Sequence, residues 1–298
     1  MKFGSVPDPT KVDFTLPGDH PDTTKILKAE GGGGLTEVFV GCAKWNKQDL
    51  KKFYPRGIKD ELAYYSSQFN SIELNATFYN NYGPDQIEKW KEKVPEDFKF
   101  FPKVSRFISH IKRLNNVEME VETCCDNTRS FGKKLGMAFL QLHDNFGPKN
   151  KERLEVFMDQ WHQDIPLAVE LRNTDWFNDA EEAAWIYSLF EKYKIANIVT
   201  DTAGRRDLLH MRLTSPVAFV RYVGANHESD YARLDDWIDR IRLWKDLGLE
   251  KLYFFVHQNL EQASPYLSAY FIKKFNAEFD TTLQLPTLGE ELQGELKF

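Results

Sequence analysis

Between Val38 and Val256 the chain alternates eight short β-rich runs with longer segments of helical periodicity. The runs are VFVG from Val38, SIELN from Ser71, KFFPK from Lys99 and AFLQL from Ala138. LAVEL from Leu167, ANIVT from Ala196, AFVRY from Ala218 and LYFFV from Leu252 complete the set. Segments such as KERLEVFMDQW, EEAAWIYSLFEKY and LDDWIDRIRLWKDL carry apolar residues at the spacing of a buried helix face. Successive runs start about 31 residues apart, the rhythm of βα units in a barrel of roughly 250 residues. The pattern predicts an α/β protein, a single-domain (β/α)8 TIM barrel over residues 37–280. The connection after the sixth run is short, with room for a stub helix only. Residues 1–36, rich in Pro and Gly and ending in Gly31–Gly34, read as a flexible leader that could also wrap the base of a barrel. Residues 281–298 read as a C-terminal tail.

Neighbouring strand residues point to opposite faces, so parity sorts each run into two sets. One set is apolar throughout, for example Ile72 and Leu74, Phe98 and Phe100, Leu140 and Leu142, Val169 and Leu171, Ala196 and Ile198. It is expected under the helices. The other starts small or apolar and turns polar toward the strand end: Glu73 and Asn75, Lys103, Gln141 and His143, Glu170 and Arg172, Asp201, Arg221, His257 and Asn259. A barrel interior is packed with branched apolar side chains, and its chemistry gathers at the C-terminal strand ends. These residues are therefore expected to ring the mouth.

Glu73, Glu170 and Asp201 against Lys103, Arg172 and Arg221 make a pocket of balanced charge. Arginine and lysine can hold a phosphate or carboxylate, and carboxylates act as base, acid or nucleophile once their pKa values are separated. Glu73 and Glu170 are the first acid/base candidates, with Asp201 and His110 as further catalytic candidates. Any one of these charges would serve as well in an interior salt-bridge network. Asn75, Lys103, Gln141, Arg172, Arg221, His257 and Asn259 are candidate ligand contacts. Trp45, Tyr79 and Trp176 lie just past strands and are expected to line the largest pocket, although each residue type more often packs than binds. An anion clamp requires that Lys103, Arg172 and Arg221 not all be consumed by internal carboxylates, and that at least two keep donors free and pointed at one shared point.

Hydrophobic content of 42% and charged content of 28% describe a soluble globular chain, and a net charge of −6 disfavours an extended nucleic-acid surface. No apolar run approaches a membrane span. Cys42, Cys124 and Cys125 form no C-x-x-C, so a reducing, cytoplasmic setting without a disulfide framework is expected. No metal-ligand spacing, nucleotide loop or nucleophile elbow occurs, and no cofactor or metal is expected.

The ordered segments GCAKW, FYP, FNSIELNATFY, VPEDFKFFPKVSRFISH, LQLH, AVELRNTDWF, VTD, FVRYVG and LDDW resemble the YecE-like family (domain of unknown function seventy-two) from about Val38 to Asn259. The resemblance implies a TIM-barrel fold and no established reaction. It also implies family-typical roles for Glu73, Asn75, Lys103, His110, Gln141, Glu170, Arg172, Trp176, Asp201, Arg221 and Gly224. The FFVHQN ending of the eighth run and the long leader depart from the family pattern. Three functions fit these residues: an enzyme acting on a small anionic or sugar-like ligand by carboxylate acid/base chemistry, a non-catalytic binder of nucleotide or nucleic-acid fragments, and a metal-dependent phosphodiesterase.

Overall fold

The computed structural model describes residues 4–288, which form one mixed α/β domain built on two parallel sheets. Nine strands follow in chain order: β1 (Glu37–Cys42), β2 (Ser71–Leu74), β3 (Lys99–Pro102), β4 (Ala138–Gln141), β5 (Leu167–Glu170), β6 (Ala196–Asn197), β7 (Val199–Thr202), β8 (Val217–Gly224) and β9 (Lys251–Gln258). The helices are α1 (Pro21–Glu30), α2 (Glu61–Ser66), α3 (Ala76–Tyr79), α4 (Pro84–Lys91), α5 (Glu118–Arg129), α6 (Lys151–Gln160), α7 (Asp175–Asn178), α8 (Ala180–Lys192), α9 (Ser229–Leu247) and α10 (Ser264–Phe279). Among the described residues no helix is long and apolar enough to cross a membrane.

One sheet has six strands in the order β3-β2-β1-β9-β8-β7, the other three in the order β4-β5-β6. The single closed ladder expected from the spacing is thus replaced by two sheets. They meet through isolated parallel bridges, Phe100 with Leu135 and Lys103 with Phe139. They meet again where β6 runs into β7 at Ile198, whose N–H donates to the Val169 carbonyl at 2.9 Å. The predicted sixth run is therefore two short strands, one in each sheet.

Phe101, Phe139, Ala168, Phe219 and Phe255 share one buried cluster with Ala196 and Ile198. Parity holds for the first five of these and inverts in the sixth run. There Ala196 and Ile198 face the shared core, while Val199 joins the cluster beneath the helices. Asn197 donates to the Arg212 carbonyl at 3.0 Å on that same helix-facing side.

The leader packs onto the domain. The connection from β7 to β8 has a short 3-10 turn at Ala203–Leu208 but no α-helix of its own, and α1 covers it. Thr23 donates to the Met211 carbonyl at 3.0 Å and accepts from the Leu213 N–H at 3.1 Å. Leu27 is fully buried. Asp19 holds Arg240 at 2.5 Å and the Trp244 indole at 3.0 Å, both on α9. Gly31 sits so close to the chain reversal at Gly248 that a Cβ there would meet the Gly248 carbonyl oxygen at 1.9 Å. At its other end the leader reaches the strand ends, where the Gly4 carbonyl accepts from Asn259 at 3.0 Å. The tail also packs as far as it is described: the Thr287 N–H donates to Gln68 at 2.7 Å and Leu288 is buried against α10. The remainder of the predicted tail, 289–298, lies outside the described residues.

Candidate functional site

The two sheets deliver a compact charge cluster to their C-terminal ends. Arg221 on β8 is its centre: Nε and Nη2 donate to the two oxygens of Glu73 on β2, at 2.9 and 2.8 Å. Nη1 donates to Glu170 at the end of β5. The second oxygen of Glu170 accepts from Arg172 Nε at 2.6 Å. Glu73 also accepts from Asn75 at 2.8 Å and pairs with His257 Nε2 on β9 at 2.9 Å. Lys103, just past β3, donates to Gln141 at the end of β4 at 2.8 Å. Glu73, Glu170, Lys103, Gln141 and Arg221 are all buried. A guanidinium is suited to this bridging position, since its planar fork bonds two carboxylates at once.

The same geometry sets the electrostatics. Burial alone would raise both carboxyls, but the cations overcome it. Arg221 and His257 hold Glu73 well below the usual carboxylate range, and Arg172 and Arg221 bring Glu170 down to about 2. Burial, reinforced by the charge of Arg221, lowers Lys103 to about 7. His257 is disfavoured as a cation by burial yet raised above its ordinary value by Glu73. The two carboxylates are therefore not split into an acid and a base; both stay ionised. Within the cluster Lys103 is the group brought to neutrality, while Glu73 favours the charged form of His257.

The expected ring closes only in part. Asp201 is absent from it, because the inverted phase of the sixth run turns its side chain beneath the helices. There it accepts from Arg206, from Arg233 at 2.7 Å and from the Trp237 indole at 2.8 Å. Glu73, Glu170 and Asp201 are thus not brought together at one site. Inversion puts Thr200 beside Arg221 in the register of β7 and β8, a buried hydroxyl that the parity reading missed because it chose the other phase. His110, expected as a proton carrier, is lowered to about 4 by burial and by Lys103, and so is neutral at neutral pH. Its Nδ1 lies 2.9 Å from the Ser109 hydroxyl, and its ring packs against Phe78 and His143.

Trp45 and Tyr79 do line a cavity, of about 210 Å³, together with Glu73 and Asn75. Larger cavities of about 690 and 330 Å³ lie elsewhere, between α1 and α8 and beside α9 and α10. Trp176 belongs to none of these; it is wholly buried, stacked between Phe146 and Trp185, with its indole donating to the Phe146 carbonyl at 2.7 Å. It is a packing residue. Trp176→Phe is expected to cost roughly 1–2 kcal/mol, from an orphaned carbonyl and a small void, while leaving anion binding unchanged. Paired urea denaturation and sulfate titration check this. Asn259 holds the leader rather than the cluster. Gly224 lacks a side chain for a physical reason, since a Cβ would meet the Gln258 amide at 2.6 Å. Cys42 is buried, with its thiol pushed up to about 12 by burial, and takes no part. Among the described residues one carboxylate–histidine group has metal-like spacing, Glu122, Asp126 and His162 on the outer surface. Arg129 already bonds Asp126 and His162 within it.

A parallel-sheet α/β domain with a buried ion cluster at its strand ends is the class defined here. Residues 39–291 match the family described as "Protein of unknown function DUF72", and the chain belongs to it. It is 24% identical over 239 residues to UPF0759 protein YecE of Escherichia coli K12, covering 74% of this chain and 86% of that one. It is 26% identical over 252 residues to UPF0759 protein YunF of Bacillus subtilis 168, covering 78% and 83%. Crystal structures of DUF72 family proteins share the fold. That from Enterococcus faecalis V583 has a TM-score of 0.66 at 16% identity, covering 84% of this chain and 98% of that one. That from Thermotoga maritima MSB8 has a TM-score of 0.65 at 22% identity, covering 82% and 100%.

Proposed function

We propose that the strand-end cluster binds a small anionic molecule bearing a phosphate or carboxylate, and that the two sheets wrap around their shared aromatic core as an eight-stranded barrel with this cluster at its mouth. The barrel reading is supported by the single bridges between the sheets and by the core that both contribute to. One observation carries the ligand reading: Lys103 is buried among Arg172, Arg221, Glu73 and Glu170, yet it has an ion pair with neither carboxylate. Arg221 and Arg172 are turned to those carboxylates, while Lys103 is bonded to a neutral amide. A bound anion would supply the charged partner that Lys103 lacks.

Carboxylate acid/base chemistry is the weaker part of the earlier expectation, because both carboxylates are pinned as anions by guanidinium groups. They are better suited to orienting the cations, with proton transfer falling to Lys103. Three unpaired thiols suit a reducing compartment such as the cytoplasm.

The test is calorimetric titration with sulfate, whose charge is constant over the relevant range, and with a sugar phosphate. Wild-type affinity is expected to be highest below pH 7 and to fall as Lys103 loses its proton above it. Lys103→Met should weaken binding about tenfold or more, equivalent to about 1.4 kcal/mol or more. Equal affinity in the two proteins, or no pH dependence, would remove Lys103 from the clamp.

A further inference from the structure

We propose that Lys103 is an imine-forming amine, and that the anion taken up here carries an aldehyde or ketone carbonyl next to its charged group. This rests on the anion-binding reading and adds the substrate class and the reactive atom.

The surroundings of Lys103 set it apart from the other lysines. Lys251 and Lys151 pair with Glu37 and Glu182 at 2.7 and 3.2 Å on the surface. Lys134, also buried, is caged by the carbonyls of Lys91 and Val94 and by Glu96 at 3.4 Å. Lys103 is buried beside two carboxylates and forms an ion pair with neither, since the guanidinium groups hold both. Its Nζ has one hydrogen-bond partner among the described residues, the Gln141 amide oxygen. The Phe78 ring centroid lies 4.3 Å away and that of Phe139 5.7 Å away. Arg221 stands 5.7 Å from the same Phe139 ring, so two cations share one aromatic side chain.

A lysine kept only for its charge would pair with a carboxylate, and one kept for structure would be caged as Lys134 is. Lys103 is instead desolvated and set beside guanidinium groups. That is the environment that leaves a sizeable fraction of an amine unprotonated and nucleophilic at neutral pH. Burial, Arg221 and Arg172 oppose its protonation; Glu73 and Glu170 favour it; His110, packed alongside, is neutral.

The chemistry balances without a further reagent. The Nζ lone pair adds to the carbonyl carbon, the carbonyl oxygen gains a proton, and the nitrogen loses one, giving a carbinolamine. Loss of the hydroxyl as water, with one proton from solvent, leaves a protonated imine. The anionic group of the ligand meanwhile lies against the guanidinium groups.

The experiment uses the intact wild-type chain with glyoxylate, a small anionic aldehyde, and borohydride to reduce any imine to carboxymethyl-lysine, mapped by peptide mass spectrometry. Sulfate binding is measured on the same preparation. The expected result is modification of Lys103 at pH 7 at least about tenfold faster than any surface lysine, reflecting its larger unprotonated fraction. Sulfate should suppress the reaction, and Lys103→Arg should abolish it at this position. Normal sulfate binding with Lys103 modified no faster than surface lysines would overturn the imine proposal and leave the anion site standing. Neither sulfate binding nor preferential modification would overturn both.

Discussion

Arg221→Met is expected to cost about 3–5 kcal/mol of folding stability at neutral pH, because it strips the shared cation from two buried carboxylates. Glu73 would keep Asn75 and His257, and Glu170 would keep Arg172, but neither set replaces a guanidinium that bonds both. The pH dependence carries a definite sign. In the wild type Glu170 is lowered to about 2 from an ordinary value of 4.5, so its contribution is complete above about pH 4.5 and fades as the pH falls toward 2. In the variant, burial without Arg221 favours the protonated acids, so the deficit should be largest at pH 7 and shrink in acid. Urea denaturation of both proteins at pH 7 and pH 4 measures it. A deficit that is constant across that range would mean that Arg221 stabilises by packing and not by charge.

Removal of residues 1–36 is expected to abolish cooperative folding or to lower the thermal midpoint steeply, with aggregation. The leader covers the β7–β8 connection, which supplies no α-helix of its own. Full burial of Leu27 contributes about 1.5–3 kcal/mol, and each hydrogen bond that Thr23 donates or accepts and that Asp19 accepts about 0.5–1.5 kcal/mol. Arg206 adds bonds to the carbonyls of Phe14 and Thr15, both at 3.1 Å. Together these are a large share of the roughly 5–15 kcal/mol that holds a domain folded. Leu27→Ala is the milder companion, expected to cost about 2–4 kcal/mol by leaving a cavity. Circular dichroism melts and size-exclusion profiles of the two variants read this out. A truncated chain that melts like the full one would make the leader a tether only.

Local pattern was sufficient to place the strands, because a strand between two packed layers writes its faces into alternate residues. It was also enough to bring Glu73, Lys103, Gln141, Glu170, Arg221 and His257 to one end, since each follows the apolar stretch of its own run. Pattern could not choose the phase of ANIVTD, where Ala196 and Ile198 suit either face. The choice was made by Arg233 and Trp237 on α9, which supply the partners that let Asp201 be buried beneath the helices. The orientation of Trp176 was similarly undetermined until the Phe146 carbonyl claimed its indole N–H. The leader, polar and rich in Pro and Gly, carried little sign of burial, because what buries it is a missing helix elsewhere in the chain. Periodicity records which face of an element is buried. Which distant group satisfies a buried charge or fills a gap depends on residues brought together by folding: Glu73 and Arg221 are separated by 148 positions in the chain, yet their side chains are hydrogen-bonded. That pairing, more than the residue types, turns the expected acid/base carboxylates into fixed anions and leaves the neighbouring lysine without a carboxylate partner.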